Sequence, residues 1–551
     1  MNARFAGFLG IVGTIIFLWP ARSGLLGDPN GEVHNHLWFF AHTLVGLQAN
    51  VPAGWDVPLM DPPNLPWFAL GWLISPTLAW NVVAVANVLL ACFGGWILGR
   101  EVTQRPIGAL VGMATIGWSP FLGGVIEFGV SEAWPLGWYA LHLAAMERLK
   151  SDARPRVVVA AGLTLGIFAL TGWYHAAFAL VVAPLVALRV RRLAVFWAGA
   201  IALLMVVPRF LDLLPHLGVW ADRAAGLSDP TDIRQWQKQE RYGIDLLRFF
   251  PSTTSFTPSY SVYLGSITVI LAALGGRRAW GWALSAAPLW VLALGHWLRI
   301  GGDVALPFPL PAGWLVEQLD SARFVTHWYR ASGPATVLLG AAAAWGAVAV
   351  ERRFSVWHFG PTGALPSIGA PTPSSGSSPL GRWLLVGLGP VLVALLLADS
   401  LALSSTRWPR VAAPLPTPPD LPLSGPVLDL PIDDNRTRPE VFGTRRPYWM
   451  WQLTHRQPVA ENYEAADAVL AASGEARALQ TACGGLPRAR PGAATAGDVL
   501  AGSEGVTLRA LGFTAVVVHA ELAPEGCAAA VEARLGAAVV EVQGARMFWV
   551  R

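Results

Sequence analysis

Long apolar segments separated by short polar turns dominate the chain up to about residue 400. A helix needs roughly 17 to 25 mainly apolar residues to cross about 30 Å of hydrocarbon. Eleven segments approach that length: 4–20, 80–99, 106–122, 133–148, 156–172, 175–190, 193–209, 261–276, 280–297, 328–350 and 382–403. The pattern therefore predicts a polytopic α-helical membrane protein with about eleven transmembrane helices.

The amino-acid composition also indicates a membrane protein. Of its 551 residues, 54% are hydrophobic and only 13% are charged, whereas soluble proteins carry about 25% charged residues. The 27 Trp residues suit membrane interfaces, where the ring is apolar and the N–H stays hydrated. Since 39 basic residues nearly balance 35 acidic ones, no nucleic-acid partner is predicted.

Arg and Lys fall mainly in alternate turns, as in the cluster Arg189, Arg191 and Arg192, while the first three turns of the other set contain only Arg22. Positive charge favours the cytoplasmic side. We therefore expect a multi-pass protein of a bacterial inner (cytoplasmic) membrane, with a cytoplasmic N-terminus and a periplasmic C-terminal domain.

The chain divides into three predicted parts. A transmembrane domain covers 1–403, including a first external loop at 21–66 and a cytoplasmic linker rich in Pro, Gly and Ser at 354–381. A Pro-rich connector follows at 404–426. Strand-like and helix-like stretches over 427–551, with a hairpin expected to turn at Gln543-Gly544, predict a small extracytoplasmic α/β domain. Its two cysteines, Cys483 and Cys527, are a candidate disulfide or two free thiols.

The stretch "GDPNGEVHNHLW" directly follows the first apolar segment and brings together Asp28, Glu32, His34 and His36. A helix beginning at Glu32 would have one apolar and one polar face, which is typical of a helix in the headgroup layer. Asp28 then fits either a catalytic carboxylate or a helix-capping acid. The two histidines fit either a substrate site or the polar face of an interfacial helix.

Other ionisable groups also lie at predicted external ends. Glu127 and Glu132 fall between the third and fourth apolar segments, and His175 lies in the tight turn after the fifth. A transporter more often buries such groups at mid-membrane. The arrangement indicates a site at the outer membrane surface, although His175 also fits a helix terminus.

Three motifs, taken in order, resemble the GT-C superfamily of membrane glycosyltransferases, which use polyprenyl-phosphate sugars. "LLGDPNGEVHNHLW" resembles the acidic motif of the first external loop, and "SPFLGGVIEFGVSEAWPLGW" resembles the second-loop segment. "LPFPLPAGWLVEQLDSARFVTHWYRAS" resembles the proline-rich external loop and following Arg of many bacterial members. The resemblance covers most of residues 1–350 and continues weakly into the tail.

The resemblance implies roles for individual residues. Asp28 becomes the expected catalytic carboxylate, with Glu32 as a second candidate. The expected substrate-binding residues are Glu127, Glu132, His34, His36, His175, Arg323 and Arg330, the two arginines serving the lipid phosphate. The arginines also fit an interfacial belt attracted to anionic lipid.

The implied activity is transfer of a sugar from a lipid-linked donor to an unidentified extracytoplasmic acceptor, with Asp28 as general base. The second loop lacks the D-x-D or D-x-E of metal-dependent oligosaccharyltransferases, so no cofactor and no metal are predicted. Two alternatives stay open. One is a non-catalytic flippase, transporter or envelope scaffold, and the other is a polyprenyl-linked polysaccharide polymerase or ligase.

Overall fold

A computed structural model gives the fold. It describes residues 3–18, 24–28, 31–45, 61–190, 193–226, 243–251, 263–301, 303–306, 308–319, 322, 325, 327–359, 379–403, 412–413, 415, 420–431, 452, 470, 473–484, 506–520, 523–542 and 544–550.

Helices dominate the described chain before residue 403. They are α1 Ala3–Phe17, α2 Val33–Val45, α3 Leu65–Trp72, α4 Pro76–Thr103, α5 Pro106–Gly117, α6 Pro120–Phe128, α7 Leu136–Arg148, α8 Pro155–Thr171, α9 Trp173–Val190, α10 Ala194–Gly226, α11 Ser266–Leu274, α12 Gly276–Ala293, α13 Pro311–Gln318, α14 Ser332–Phe359 and α15 Pro379–Ala402. Short 3-10 turns at Pro62–Asn64, Ser131–Ala133, Leu246–Phe249 and Trp328–Ala331 connect some of them.

Each of the eleven predicted apolar segments contains helix. Four helical stretches of the described chain are long and apolar enough to cross a membrane by length and composition, namely Pro76–Thr103, Pro106–Phe128, Ala194–Leu211 and Trp328–Trp357. The helical membrane class is therefore confirmed, and the number of spans stays a prediction. The expected linker at 354–381 is helical at both ends, since α14 continues to Phe359 and α15 begins at Pro379; the rest lies outside the described residues.

Helices α4 and α5 approach each other through glycines. A Cβ on Gly95 of α4 would collide with the carbonyl oxygen of Gly112 in α5, and a Cβ on Gly99 would collide with that of Gly108. Small residues four positions apart allow membrane helices to pack backbone to backbone. This contact joins the C-terminal half of α4 to α5, while the Trp80 indole at the other end of α4 donates to the carbonyl of Leu26 in the first loop.

Two short strands tie the first loop to the chain beyond α15. Strand β1, Leu25–Leu26, pairs antiparallel with β4, Ala412–Ala413. This pairing therefore joins the chain just before Asp28 to the chain that follows α15. Elsewhere, β2, Arg299–Ile300, and β3, Asp303–Val304, form a small hairpin between α12 and α13.

The C-terminal part contains a four-stranded sheet in the order β5-β6-β8-β7, with β5 Val427–Leu430, β6 Ala515–His519, β7 Val540–Val542 and β8 Ala545–Trp549. Strand β5 runs parallel to β6, and the other pairs are antiparallel. The predicted hairpin is confirmed by the pairing of β7 with β8.

Helices α16, Gly474–Gly484, and α17, Cys527–Leu535, cover one face of this sheet with apolar side chains. Cys483 and Cys527 form a disulfide between these helices, with Cα atoms 4.6 Å apart. The location of this part outside the membrane stays a prediction.

Candidate active site

The acidic stretch of the first loop docks by its backbone onto the end of α6. The N–H of Asp28 donates to the carbonyl of Glu127 at 2.6 Å, and the N–H of Glu32 donates to the carbonyl of Phe128 at 2.6 Å. The last carbonyls of a helix have no partner within that helix. The first loop satisfies two of them, so it lies directly on the second loop.

A glycine makes this close approach feasible. Gly129 ends α6 with φ +82°, a conformation that L side chains rarely adopt. A Cβ at this position would also collide with Val33, the first residue of α2. The chain then turns through the 3-10 turn Ser131–Ala133, which presents Ser131 and Glu132 to α2.

His36 links the two loops. Its Nε2 lies 3.3 Å from Oε2 of Glu32, one helical turn earlier, and 3.2 Å from Oε2 of Glu132. Its Nδ1 lies 3.0 Å from the hydroxyl oxygen of Ser131. Each ring nitrogen of His36 therefore faces an oxygen, which fixes the orientation of the ring.

Arg330 extends this chain of charges from the opposite side. Its Nη1 lies 2.8 Å from Oε1 of Glu132, and both side chains are buried. Its Nε donates to the Tyr329 hydroxyl at 3.2 Å, and the guanidinium lies 4.7 Å from the centre of the Tyr174 ring. The 3-10 turn Trp328–Ala331 at the start of α14 thus brings a cation to the carboxylate of the second loop.

The result is a row of alternating charges, Glu32, His36, Glu132 and Arg330, which we call the charge row. Burial opposes ionisation of Glu32, but the hydrogen bond and charge of His36, with Arg330 further away, lower the pKa of Glu32 to about 2. Burial also opposes the charged form of His36, yet the Glu132 and Glu32 carboxylates raise its pKa above 6.5. At neutral pH Glu32 is therefore an anion, and its negative charge favours the protonated form of His36.

Asp61 is a further buried acid in the first loop. Its Oδ2 accepts from the Asn64 side chain at 2.7 Å, and Asn64 in turn accepts from Asn87 of α4 at 2.8 Å. Burial, with a smaller effect from the negative charge of Glu132, raises the pKa of Asp61 well above its ordinary value. Burial thus favours the protonated form of this carboxyl group, which lies close enough to Glu132 to feel its charge.

His175 lies in the first turn of α9, after the predicted tight turn at Gly172. It is fully buried, and neither ring nitrogen bonds to a residue in the described part of the chain. Its ring packs edge-on against Phe121 and lies against Gly333, three residues beyond Arg330. His175 is therefore a neighbour of the charge row rather than a member.

The structure brings together six of the residues singled out from the sequence. Glu32, His36, Glu132 and Arg330 meet through their side chains, and Asp28 and Glu127 meet through a backbone hydrogen bond. Arg323 lies outside the described residues. The expected interfacial helix differs from α2, whose supposedly solvated side chains His34 and His36 are buried. The reason is that α2 packs on protein along both faces.

Four contributors were not singled out as site residues from the sequence: Ser131, Tyr174, Tyr329 and Asp61. Ser131, Tyr174 and Tyr329 are adjacent in sequence to Glu132, His175 and Arg330, and Asp61 appears in the sequence only as another acid of a long loop. An uncharged hydroxyl group or aromatic ring cannot be recognised in the sequence as part of a site until its charged partner is known. Among the described residues, no group of three or more His, Cys, Asp or Glu has the arrangement of a metal site.

The apolar helices and the charge row define an integral membrane protein with a buried ionic site at one end of its helical bundle. No family model matches the chain, and no match is found among curated proteins.

Two solved proteins are similar in structure. The first is ArnT from Cupriavidus metallidurans, which is 13% identical and covers 99% of this chain and 97% of its own; the TM-score is 0.44 in the apo state and 0.40 for the form bound to undecaprenyl phosphate. The second is the archaeal oligosaccharyltransferase AglB from Archaeoglobus fulgidus, in complex with an inhibitory peptide and a dolichol-phosphate. It is 12% identical, covers 94% of this chain and 69% of its own, and has a TM-score of 0.39.

With such low identities and TM-scores, these similarities assign no family, activity, ligand or residue role to this chain.

Proposed function

We propose that this protein is an integral membrane glycosyltransferase, which moves a sugar from a polyprenyl-phosphate donor to an extracytoplasmic acceptor. The observation that carries the proposal is the charge row. It joins three segments that the sequence motifs single out separately: the first loop, the second loop, and the turn before α14. A non-catalytic scaffold has no need for an ionised carboxylate and a buried arginine at opposite ends of such a row.

The chemistry asks for two functions. A base takes the proton of the acceptor hydroxyl or amine as its oxygen or nitrogen attacks the anomeric carbon, and a cation stabilises the departing phosphate. In this proposal Asp28 is the base, and Glu32 is the second candidate because its carboxylate is 20% exposed, against 8% for Glu132. The bond from the anomeric carbon to phosphate breaks as the new bond forms, which inverts that carbon.

Arg330 is suited to the phosphate. Of its two terminal nitrogens, only Nη1 bonds a carboxylate within the described chain, which leaves Nη2 for a phosphate oxygen. The Tyr174 and Tyr329 rings hold the guanidinium in place. Glu127, His34 and His175 are proposed to contact the substrate, since they lie in or beside the same loops.

The test offers the purified protein a panel of labelled polyprenyl-phosphate sugars and measures release of polyprenyl phosphate. Asp28→Asn and Glu32→Gln are compared with Asp152→Asn, which removes an acid paired with Arg154 at the other end of α7 from the second loop. Loss of a general base should lower turnover by about 10²-fold or more. The control should keep wild-type turnover.

Each outcome has a consequence. If Asp28→Asn alone loses turnover, Asp28 is the base, and if Glu32→Gln alone does, the role passes to Glu32. Wild-type turnover in both variants would refute the proposed mechanism. No release from any donor of the panel would refute the proposed activity and favour a flippase, transporter or scaffold.

A further inference from the structure

Helix α2 forms a side-chain hydrogen bond with a residue far along the chain. The indole N–H of Trp38 donates to the side-chain oxygen of Gln452 at 2.6 Å, across a sequence separation of 414 residues. Both residues have no exposed surface. A buried indole N–H and a buried amide oxygen are costly to leave without partners, so this bond specifies where α2 sits.

A second tie to the same part of the chain lies just before the acidic stretch. Strand β1 pairs with β4, which follows α15, at Leu25–Leu26 and Ala412–Ala413. The bundle holds β1 as well, because the Trp80 indole donates to the carbonyl of Leu26 at 2.8 Å. Asp28 and Glu32 therefore lie between two attachments to the chain beyond the last apolar helix.

The two sides of α2 contact different parts of the protein. Trp38 follows His36 by two residues, which is a rotation of about 200° around a helix axis. His36 faces Ser131 and Glu132 of the second loop, and Trp38 faces Gln452. A helix held on both sides cannot turn about its axis without lengthening one set of contacts.

We propose that Trp38 and Gln452 are positioning residues, through which the chain beyond the last apolar helix sets the position of α2 and hence of Glu32 and His36. The bond to Gln452 fixes the rotation of α2, and this rotation sets the distance from His36 to Glu132. The proposal goes beyond the transferase activity, because it names residues that set the positions of two side chains in the site. Its kinetic consequences rest on that proposed activity.

The experiment uses the full-length protein with three variants. Trp38→Phe keeps an aromatic ring but removes the N–H, Gln452→Met keeps the length but removes the amide, and the third variant combines both. Trp118→Phe is the matched control, because it removes an equally buried indole N–H that faces Thr14 of α1 at 3.5 Å, away from the first loop.

The first measurement is hydrogen exchange of a peptide covering α2, which needs no turnover. We expect exchange in α2 to rise about tenfold in Trp38→Phe, Gln452→Met and the double variant alike, since any of them removes the same bond. Trp118→Phe should leave exchange in α2 unchanged. Equal exchange in α2 of the wild type and all three variants would overturn the proposal, whether or not the protein transfers sugar.

The second measurement separates positioning from stability. A shift in α2 should lower kcat about tenfold at unchanged KM. If the comparison of Asp28→Asn with Glu32→Gln assigns the base to Glu32, the acidic limb of the pH–rate profile should also move upward, because Glu32 loses part of the His36 contact that lowers its pKa. A merely structural bond would lower the unfolding midpoint with kcat and the pH profile intact, and that result would overturn the positioning role. If the wild type releases no polyprenyl phosphate, the proposed function fails while the exchange result still decides this inference.

Discussion

The buried ion pair between Arg330 and Glu132 gives the sharpest stability prediction. The two side chains are 4% and 8% exposed, and their charged atoms lie 2.8 Å apart. With an effective dielectric constant of about 20, the attraction at this distance is roughly 6 kcal/mol, most of which offsets the desolvation of the two ions. Arg330→Met keeps an unbranched apolar side chain in place of the arginine stem, removes the guanidinium, and leaves the Glu132 carboxylate with His36 as its remaining basic partner.

Removing one partner of a buried pair costs about 3–5 kcal/mol. Because His36 lies 3.2 Å from Glu132, we expect a loss near the lower limit, about 3 kcal/mol in the free energy of unfolding. The double variant Glu132→Gln/Arg330→Met leaves no unpaired carboxylate and should recover most of this loss.

The assay is unfolding of the purified protein in detergent, followed by Trp fluorescence, for the wild type, both single variants and the double variant. Arg148→Met is the matched control, since Arg148 is 47% exposed and pairs with Glu101 at 3.1 Å. Exposed pairs contribute roughly 0–1 kcal/mol. A buried, coupled ion pair is ruled out if the losses of the two single variants simply add in the double variant, or if Arg330→Met costs no more than the control.

Two further predictions concern pH and the disulfide. A group whose pKa is raised in the folded state contributes its full stabilisation of the fold below its unfolded pKa, and a group whose pKa is lowered contributes it above its unfolded pKa. The contributions of His36 and Glu32 to folding stability are therefore both complete between pH 4.5 and 6.5. The His36 contribution declines above pH 6.5 as His36 loses its proton, and the Glu32 contribution declines below pH 4.5, towards about 2, as Glu32 gains one. Unfolding midpoints across pH should follow this course, and His36→Asn should abolish the alkaline decline; an unchanged decline would assign it to another group. The bond between Cys483 and Cys527 closes a segment of 44 residues, so Cys483→Ser/Cys527→Ser should destabilise the C-terminal part by about 2–4 kcal/mol in denaturant unfolding, and equal stability would show that the thiols are free in the native protein.

Hydrophobic periodicity predicted the helices well because each depends on its own sequence. All eleven apolar segments contain helix, and the β7–β8 hairpin follows from its turn residues. The number of membrane spans is harder to predict from the sequence. Helices α5 and α6, for example, are separated only by Trp118 and Ser119 and together make one apolar stretch. Length and hydropathy do not distinguish a kinked span from two short helices.

The partners of ionisable groups were less predictable. The resemblance of the loop motifs to the GT-C superfamily assigned Glu132 and Arg330 to one predicted site. It did not indicate that His36 bridges Glu32 and Glu132, because this depends on α2 packing against the second loop rather than on lipid. The bond from Trp38 to Gln452 had no sequence signal at all, since both residue types are common and lie 414 residues apart.

The order of charges in the row bears on how a transferase would use it. Glu32, the more exposed of its two carboxylates, lies at one end, and Arg330 lies at the other, with His36 and Glu132 between them. When His36 is protonated, the four charges balance, so the row carries no net charge into the low-dielectric bundle, and its contacts run from an anion to a cation. Where Glu32 rather than Asp28 is the base, transfer from a phosphate uses this polarity, because the proton leaves the acceptor on one side of the anomeric carbon while negative charge develops on the phosphate at the other. His36 and Glu132 are then the groups that keep both ends ionised and at a fixed separation, which explains why they are buried although neither has to touch the substrate.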